Sequence, residues 1–403
     1  SLRRTTLVND ESARERVLTI MLVAGEPSGD QLGAQLMAGL KTLSGDHLRI
    51  VGVGGPAMSA QGLQSLFPLD ATAVMGLREV VPRIPAILKR VREAADYALK
   101  VRPDVVVLID SPDFTHRIAR RLKRIDPTIR TVNYAPPQVW ASRAYRARAM
   151  ARYFDAVMTL LPFEAPFFAK NGLCAHFVGN PVLERAKWIG GGDDFRRRFG
   201  IAAGAPLLAV LPGSRRNEIR FILPPFKKTV ERLAGEVPGL VCVMPTVGHV
   251  AHLVRQAASD WPTPVHVVES DTEKFAAFDA ADAALAASGT VTSELALAKT
   301  PMVVGYRLGS ITYALARRFL LVPYIVLINL VLDRQAVPEF LQGACEPETL
   351  ARALKPLLSD TPERAKQVRD LEEAVREFGA GGEAPSLRAA RVLLTMVGAS
   401  VRQ

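Results

Sequence analysis

Two rhythms alternate along this chain. Short, continuous apolar runs at Val17–Ala24, Ile50–Val53, Pro103–Asp110, Thr131–Tyr134 and Ala156–Leu160 read as strands covered on both faces, as in a central parallel sheet. Between them, apolar residues recur at helical spacing. Leu32, Leu36 and Leu40 share one face of a helix expected over Asp30–Leu43 after a turn at Gly25–Asp30, and Ile84, Ile87, Leu88, Val91, Ala95, Ala98 and Leu99 mark another over 84–99. The pattern restarts after Gly190-Gly-Gly192, with strands at Leu207–Leu211, Val241–Met244, Val265–Val268, Ala281–Ala287 and Met302–Tyr306 and a helix over 219–234. Strand–helix alternation repeated in this way predicts an α/β fold of two doubly wound, Rossmann-like parallel-sheet domains facing a shared cleft. The expected divisions are a loose arm over 1–16, an N-terminal domain over 17–190, a C-terminal domain over 191–346, and a helical tail over 347–403 that packs across domains or between subunits.

A length of 403 residues agrees with two domains, and 49% apolar content with a well-packed globular chain. The three cysteines, Cys174, Cys242 and Cys345, lie far apart and read as buried thiols in a reducing compartment. Residues 1–16 carry no apolar segment of the secretory kind. The apolar run Phe319–Leu332 contains Pro323 and Asn329 and is too short to span a bilayer. The net charge of +11 is uneven: residues 1–190 hold 26 Lys and Arg against 17 Asp and Glu. Such a bias attracts phosphorylated substrates or anionic lipid. Nucleic acid is not expected, because the basic residues fall on amphipathic helices without interleaved aromatics or a recognisable module.

The chemistry concentrates at strand ends. Leu285–Glu294 is an apolar strand that breaks at Ser288-Gly289 and restarts as a helix at Thr290, aiming free backbone N–H groups and the positive end of a helix dipole at what lies above the strand tip. A capped β–α turn would look the same, but Leu211-Pro-Gly-Ser-Arg215 supplies a second phosphate-friendly turn, with Gly213, Ser214 and Arg215. The two together point to a nucleoside diphosphate, with Arg215 a fixed positive charge and Glu294 a partner for ribose hydroxyls. The plainer alternatives are a surface arginine and a solvated helix glutamate. Asp110, ending a buried strand, is the candidate base. Asp113 is its competitor, or a cap of the next helix. Glu26, Ser28 and Asp30 form the first turn, where an acceptor would bind; Asp30 reads equally well as a helix N-cap. Asn329, polar within its apolar run, joins the substrate-binding candidates. No metal site is expected: no D-x-D pair ends a strand, and His249 with His252 lacks a carboxylate and reads as a surface pair.

Ala24–Asp30, Ile109–Phe114, Leu160-Leu-Pro-Phe-Glu164, Leu211–Arg215, Ala287–Thr290 and Met302–Arg307 occur, in this order, in a set that resembles the lipid-A-disaccharide synthase family from Val17 to about Leu393. The resemblance implies a GT-B fold. It also implies inverting transfer of 2,3-diacylglucosamine from UDP-2,3-diacylglucosamine to 2,3-diacylglucosamine 1-phosphate, giving a β-1,6 disaccharide 1-phosphate and UDP without a metal or other cofactor. It further implies a cytoplasmic enzyme held peripherally on the inner face of the inner membrane, and a homodimer with exchanged C-terminal segments. Val80–Ala98 and Ile311–Leu332 are the candidate membrane surfaces, although an amphipathic helix packed on the sheet would give the first pattern too.

Three positions depart from the family pattern: Pro136–Ser142 keeps Trp140 but lacks a second tryptophan, Thr115 stands where Asn is common, and Asn180 stands where His is common. These put acceptor contacts in question and leave the UDP-side motifs intact. A UDP-N-acetylglucosamine 2-epimerase shares the fold and is the main alternative, but leaves Ile109–Phe114 unexplained. A glycosyltransferase acting on a lipid-linked peptidoglycan precursor fits Ala24–Asp30 less well, and a non-catalytic nucleotide-sugar sensor has no use for both Asp110 and Arg215.

Overall fold

The computed structural model describes residues 17–45, 47–69, 77–142, 145–307 and 323–399. The arm over 1–16 and most of the candidate surface Ile311–Leu332 lie outside them. Among the described residues, twelve strands form two six-stranded sheets. The first holds β1 (Leu18–Ala24), β2 (Leu48–Val53), β3 (Val105–Ile109), β4 (Thr131–Tyr134), β5 (Ala156–Thr159) and β6 (Cys174–Phe177) in the order β2-β1-β3-β4-β5-β6. The second holds β7 (Leu207–Leu211), β8 (Val241–Pro245), β9 (Val265–Val268), β10 (Ala283–Ala286), β11 (Met302–Tyr306) and β12 (Glu339–Leu341) in the order β12-β11-β10-β7-β8-β9. Every pairing is parallel. Parallel neighbours require crossover connections, so helices cover both faces and the strands stay apolar on both sides. All five residues of β3 and of β7 are buried.

In each sheet the chain winds outward, then returns to the far side of its first strand. The reversal falls between β1 and β3 in one sheet and between β7 and β10 in the other. Loops leaving the carboxyl ends of neighbouring strands diverge there, and a crevice opens.

The helix expected to start at Asp30 starts at Pro27. Proline fits the first helical position because its fixed φ is helical and its missing N–H is one the helix would leave unpaired. The strands β6 and β12 were not foreseen; both are short, half-exposed edge strands without a buried run. Cys242 and Cys345 are buried, but Cys174 is exposed on β6, which corrects the expectation of three buried thiols.

The chain passes between the two sheets twice. One crossing is the 3-10 helix Pro181–Trp188, and the other joins the helices Pro362–Glu377 and Pro385–Met396. The crossings hold each other: Asn180 N–H donates to Phe378 O (2.9 Å) and Ser386 N–H to Glu184 Oε1 (2.9 Å). Along the tail, Leu350, Ala351 and Leu354 pack with Phe226 in the second unit, and Leu371 and Ala374 join its other face. The last helix returns to the first unit, burying Ala389, Ala390, Leu393 and Leu394 against Leu36 and Leu40. Each such leucine contributes roughly 1.5–3 kcal/mol of burial.

Gly39 sets how closely that helix approaches Pro27–Ser44, since a Cβ there would lie 2.6 Å from Ser386 O. Helix propensity alone favours Gly39→Ala by about 1 kcal/mol. The backbone contact reverses the sign, and we expect chemical denaturation to show Gly39→Ala destabilised by about 1–3 kcal/mol.

Candidate active site

The first crevice is built around a left-handed turn. Asp110 and Ser111 follow β3 with φ of 51° and 46°, a conformation that side chains with a Cβ seldom adopt. Ser111 is the N-cap of the helix Pro112–Ile125, so Asp113 lies in its first turn, not at the cap, where its charge suits the helix dipole. Thr115, fully buried, aims its hydroxyl at Asp110 O (2.6 Å) and Ser111 O (3.0 Å) and braces the turn from inside.

The Asp110 carboxylate accepts from Ser111 N–H at Oδ1 (2.8 Å) and from Ser28 Oγ at Oδ2 (2.9 Å). Ser111 Oγ in turn donates to Glu26 Oε1 (3.1 Å). The structure thus joins Glu26, Ser28 and Asp110 across the β1–β3 switch. A Cβ at Gly25 would lie 2.6 Å from Ser111 Oγ, so glycine is what lets the two loops meet. Asp30 does different work. Its carboxylate, buried at 3% exposure, accepts from the N–H groups of Gly55 (2.7 Å), Ala57 (2.9 Å) and Met58 (3.0 Å), and so holds the neighbouring helix Pro56–Ala60 rather than capping its own.

The second crevice has its own pair of loops. After β7, Gly213 (φ 111°) turns the chain so that Ser214 N–H and Arg215 N–H both donate to Glu218 Oε2 (2.9 and 3.2 Å), while Arg215 Nη1 donates to Glu218 Oε1 (3.0 Å). This capping box opens the helix Arg216–Glu236. Its donors surround an anion, here a carboxylate, and the Arg215 side chain remains 61% exposed. His249 Nε2 donates to Ser214 O (2.8 Å) and supports the loop, a role the sequence did not suggest for that histidine. After β10, Ser288 is half-buried, and Gly289 and Thr290 are exposed at the start of the helix Thr290–Leu297. A Cβ at Gly289 would meet nothing within 4 Å, so the space above this N-terminus is open.

Glu294 is neither solvated nor unpaired. It is 3% exposed, forms an ion pair with Arg185 of the crossing helix Pro181–Trp188, and accepts from Lys274 Nζ (3.3 Å). Two cations offset the loss of hydration of a carboxylate this deeply buried. Asn329 is also committed. It is fully buried, its Nδ2 donates to Val337 O (2.8 Å), and its Oδ1 accepts from Ala336 N–H (2.9 Å) and Val337 N–H (2.8 Å). Through that pairing it holds a turn. Asn180 likewise caps the crossing helix, accepting from Val182 N–H (3.0 Å).

The chain's family model match decides what these two crevices belong to: the lipid-A-disaccharide synthetase model covers residues 20–389. The chain belongs to that family. It is 47% identical over 380 residues to the lipid-A-disaccharide synthase of Rhodospirillum centenum, covering 94% of this chain and 95% of that one. It is 44% identical over 382 residues to that of Rhodopseudomonas palustris, covering 94% and 97%. Membership makes it a glycosyltransferase. Among solved structures, the S. aureus MnaA–UDP co-structure superposes with a TM-score of 0.63 at 14% identity over 94% of this chain and 97% of that one. Acinetobacter baumannii MurG gives 0.56 at 17% identity over 94% and 99%. At such identities the likeness shows the two-domain GT-B fold alone.

One more family feature becomes physical here. Glu164, 3% exposed, accepts from Trp140 Nε1 (3.0 Å), Leu160 N–H (3.1 Å) and Leu161 N–H (3.0 Å), and Trp140 stacks edge-on against Phe163 at 4.9 Å. The retained tryptophan welds the loop after β4 to the loop after β5. Leu161, Trp140 and Phe163 then pack against the core of the second unit, so these strand tips of the first sheet meet the second unit. Burial pushes the Glu164 carboxyl above its ordinary range, against the pull of its three donors. We expect Trp140→Phe, which removes one donor, to lower stability by about 1–3 kcal/mol at pH 7. The loss should shrink as the carboxyl protonates at lower pH, because a folded-state pKa raised above the unfolded value makes the protonated form the better tolerated one. Thermal unfolding at pH 7 and pH 4 reads both effects.

Proposed function

We propose that this chain transfers 2,3-diacylglucosamine from UDP-2,3-diacylglucosamine to the 6-hydroxyl of 2,3-diacylglucosamine 1-phosphate, with inversion, releasing UDP. The observation that carries the reading is the loading of both topological switch points: a carboxylate at one, anion-facing loops at the other. Lone pairs on the Asp110 oxygens that Ser28 and Ser111 leave free can take the acceptor's hydroxyl proton as the glycosidic bond forms. On the other side, Gly213, Ser214 and Arg215 with Ser288, Gly289 and Thr290 bind the diphosphate. The N–H groups and dipole at the start of the helix Thr290–Leu297, with the exposed Arg215 guanidinium, stabilise the charge that develops on departing UDP. Glu294, held between Arg185 and Lys274, binds the ribose hydroxyls. Glu26 and Asp113 border the acceptor, and Asp30 supports that turn from beneath.

Substrates with two acyl chains reside in a membrane, and no helix among the described residues is long and apolar enough to cross one. The enzyme acts at the inner membrane's cytoplasmic face. Val91, Ala94, Ala95 and Ala98 of the helix Leu77–Val101 are buried against the first sheet, while Ile84 remains 42% exposed and is the part suited to lipid contact. A homodimer that exchanges the C-terminal segment would repeat the contacts between Pro385–Met396 and Pro27–Ser44 in trans.

Purified protein incubated with both substrates should yield disaccharide 1-phosphate and UDP by mass spectrometry. A C2-epimerised UDP-sugar formed without acceptor would replace this reading with the epimerase. Arg215→Ala should weaken UDP binding by about tenfold, roughly the worth of one charge-assisted hydrogen bond, and slow transfer as well. Native UDP affinity together with native turnover would show that the diphosphate binds elsewhere.

A further inference from the structure

A cavity of about 270 Å³ opens beside the first crevice, between the helix Pro112–Ile125 and the short helix Tyr145–Met150. Three guanidinium groups line it, from Arg117, Arg120 and Arg146, and a single carboxylate, Asp113, stands among them. Its floor is polar but uncharged. Tyr153 and His116 are each 6% exposed, His116 Nδ1 lies 3.2 Å from Tyr153 Oη, and Arg120 Nη2 donates to the same oxygen at 3.1 Å. Burial, with the neighbouring Arg120 charge, pushes the His116 imidazole down to about 4, so it sits neutral beneath the arginines.

The arginines differ from their neighbours on the same face. Arg121 pairs with Asp96 and Lys123 with Asp155, whereas among the described residues Arg117, Arg120 and Arg146 have no carboxylate partner within salt-bridge distance. Three like charges converging on one concavity repel each other and stabilise a multiply charged anion placed between them. Planar guanidinium groups are suited to the oxygens of a phosphate.

We propose that this cavity binds the phosphomonoester of the acceptor sugar. The inference rests on the acceptor assigned above, and position supports it. Pro112 and Asp113 at the cavity's mouth directly follow the Asp110–Ser111 turn, and Pro137 of the loop after β4 forms part of its wall. In a hexose 1-phosphate, C1 and C5 both flank the ring oxygen, so the phosphate lies within about one sugar's width of the 6-hydroxyl, and its site must lie within that distance of the base. Arg117 stands five residues beyond Pro112, about 7.5 Å along the helix axis. Pro137 and Val139 of the stretch Pro136–Ser142, which departs from the family pattern, thus border the acceptor's phosphate end.

The test pairs removal of the residue with removal of the phosphate, in neutral detergent without phospholipid. Arg117→Ala and Arg146→Ala, both at exposed positions that tolerate truncation, should each raise the acceptor KM about tenfold or more and leave the donor KM unchanged. With 2,3-diacylglucosamine lacking the phosphate, wild type should lose a similar factor and the variants little beyond it. Arg121→Ala, on the same surface, should behave as wild type. Equal penalties with and without the acceptor phosphate, or an Arg121→Ala effect as large as that of Arg146→Ala, would overturn the proposal, the latter by exposing general attraction of an anionic surface. Phosphorus NMR titration with glucosamine 1-phosphate reads the cavity independently of turnover. Saturable binding lost in Arg117→Ala/Arg146→Ala supports the site even if the transfer reaction fails, and identical titrations in wild type and variant overturn it even if transfer succeeds.

Discussion

The site depends on two consecutive residues held in a conformation their side chains disfavour. Asp110 and Ser111 both sit at positive φ, which costs roughly 1–2 kcal/mol per residue. The surroundings over-determine the turn: Asp110 N–H continues the sheet by donating to Tyr134 O (2.9 Å), Thr115 braces the two carbonyls, and the Asp110 carboxylate takes Ser111's own N–H. Relaxed into ordinary strand geometry, the chain would carry the carboxylate away from Ser28. Strain stored where a reacting group is presented, and offset by rigid neighbours, is a familiar arrangement at catalytic positions. The absence of a Cβ at Gly25 is part of the same constraint, because it lets the β1 loop close over Ser111.

The second sheet solves the complementary problem with little strain outside its glycines. Gly213 and Gly289 supply the left-handed turns, and helix beginnings supply the N–H donors. Glu218 fills the first of these loops, its carboxylate bound by two backbone N–H groups and a guanidinium. The ion pair of Glu294 with Arg185 reaches from the second sheet's switch point to the segment that joins the two units. A ligand engaging Glu294 would therefore act on the crossing helix as well as on the site.

Much of this was legible from residue pattern. The central strands β3 and β7 stood out because buried parallel strands are apolar throughout, and the strand-end motifs marked both crevices because only a few residue types fit those turns. What stayed hidden shares a cause. The edge strands β6 and β12 are short and half-exposed, so no apolar run announces them. The partners of Asp30, Glu164 and Glu294 are distant in sequence, and nothing local to Asp30 tells that its carboxylate faces Gly55 rather than a substrate. Asn329 sat in an apolar run as a lone polar residue, which signals either a ligand or a backbone pin. Three hydrogen bonds to the Ala336–Val337 turn give it the work of a pin, and only distant partners could show that. Thr115 and Asn180, which depart from the family pattern, both serve as internal supports through backbone partners that the sequence alone does not reveal.

The central claim is that Asp110, posed by its left-handed turn, takes the proton of the attacking hydroxyl. Single-turnover transfer by Asp110→Asn, measured beside calorimetric UDP affinity, tests it most directly. The amide keeps the size of the side chain and can still accept from Ser28, but it cannot hold the proton. A fall in the transfer rate of about a hundredfold or more with UDP affinity unchanged is the expected result. Near-native transfer by a folded variant would contradict the account and send the search for the base to Asp113 or elsewhere in the crevice.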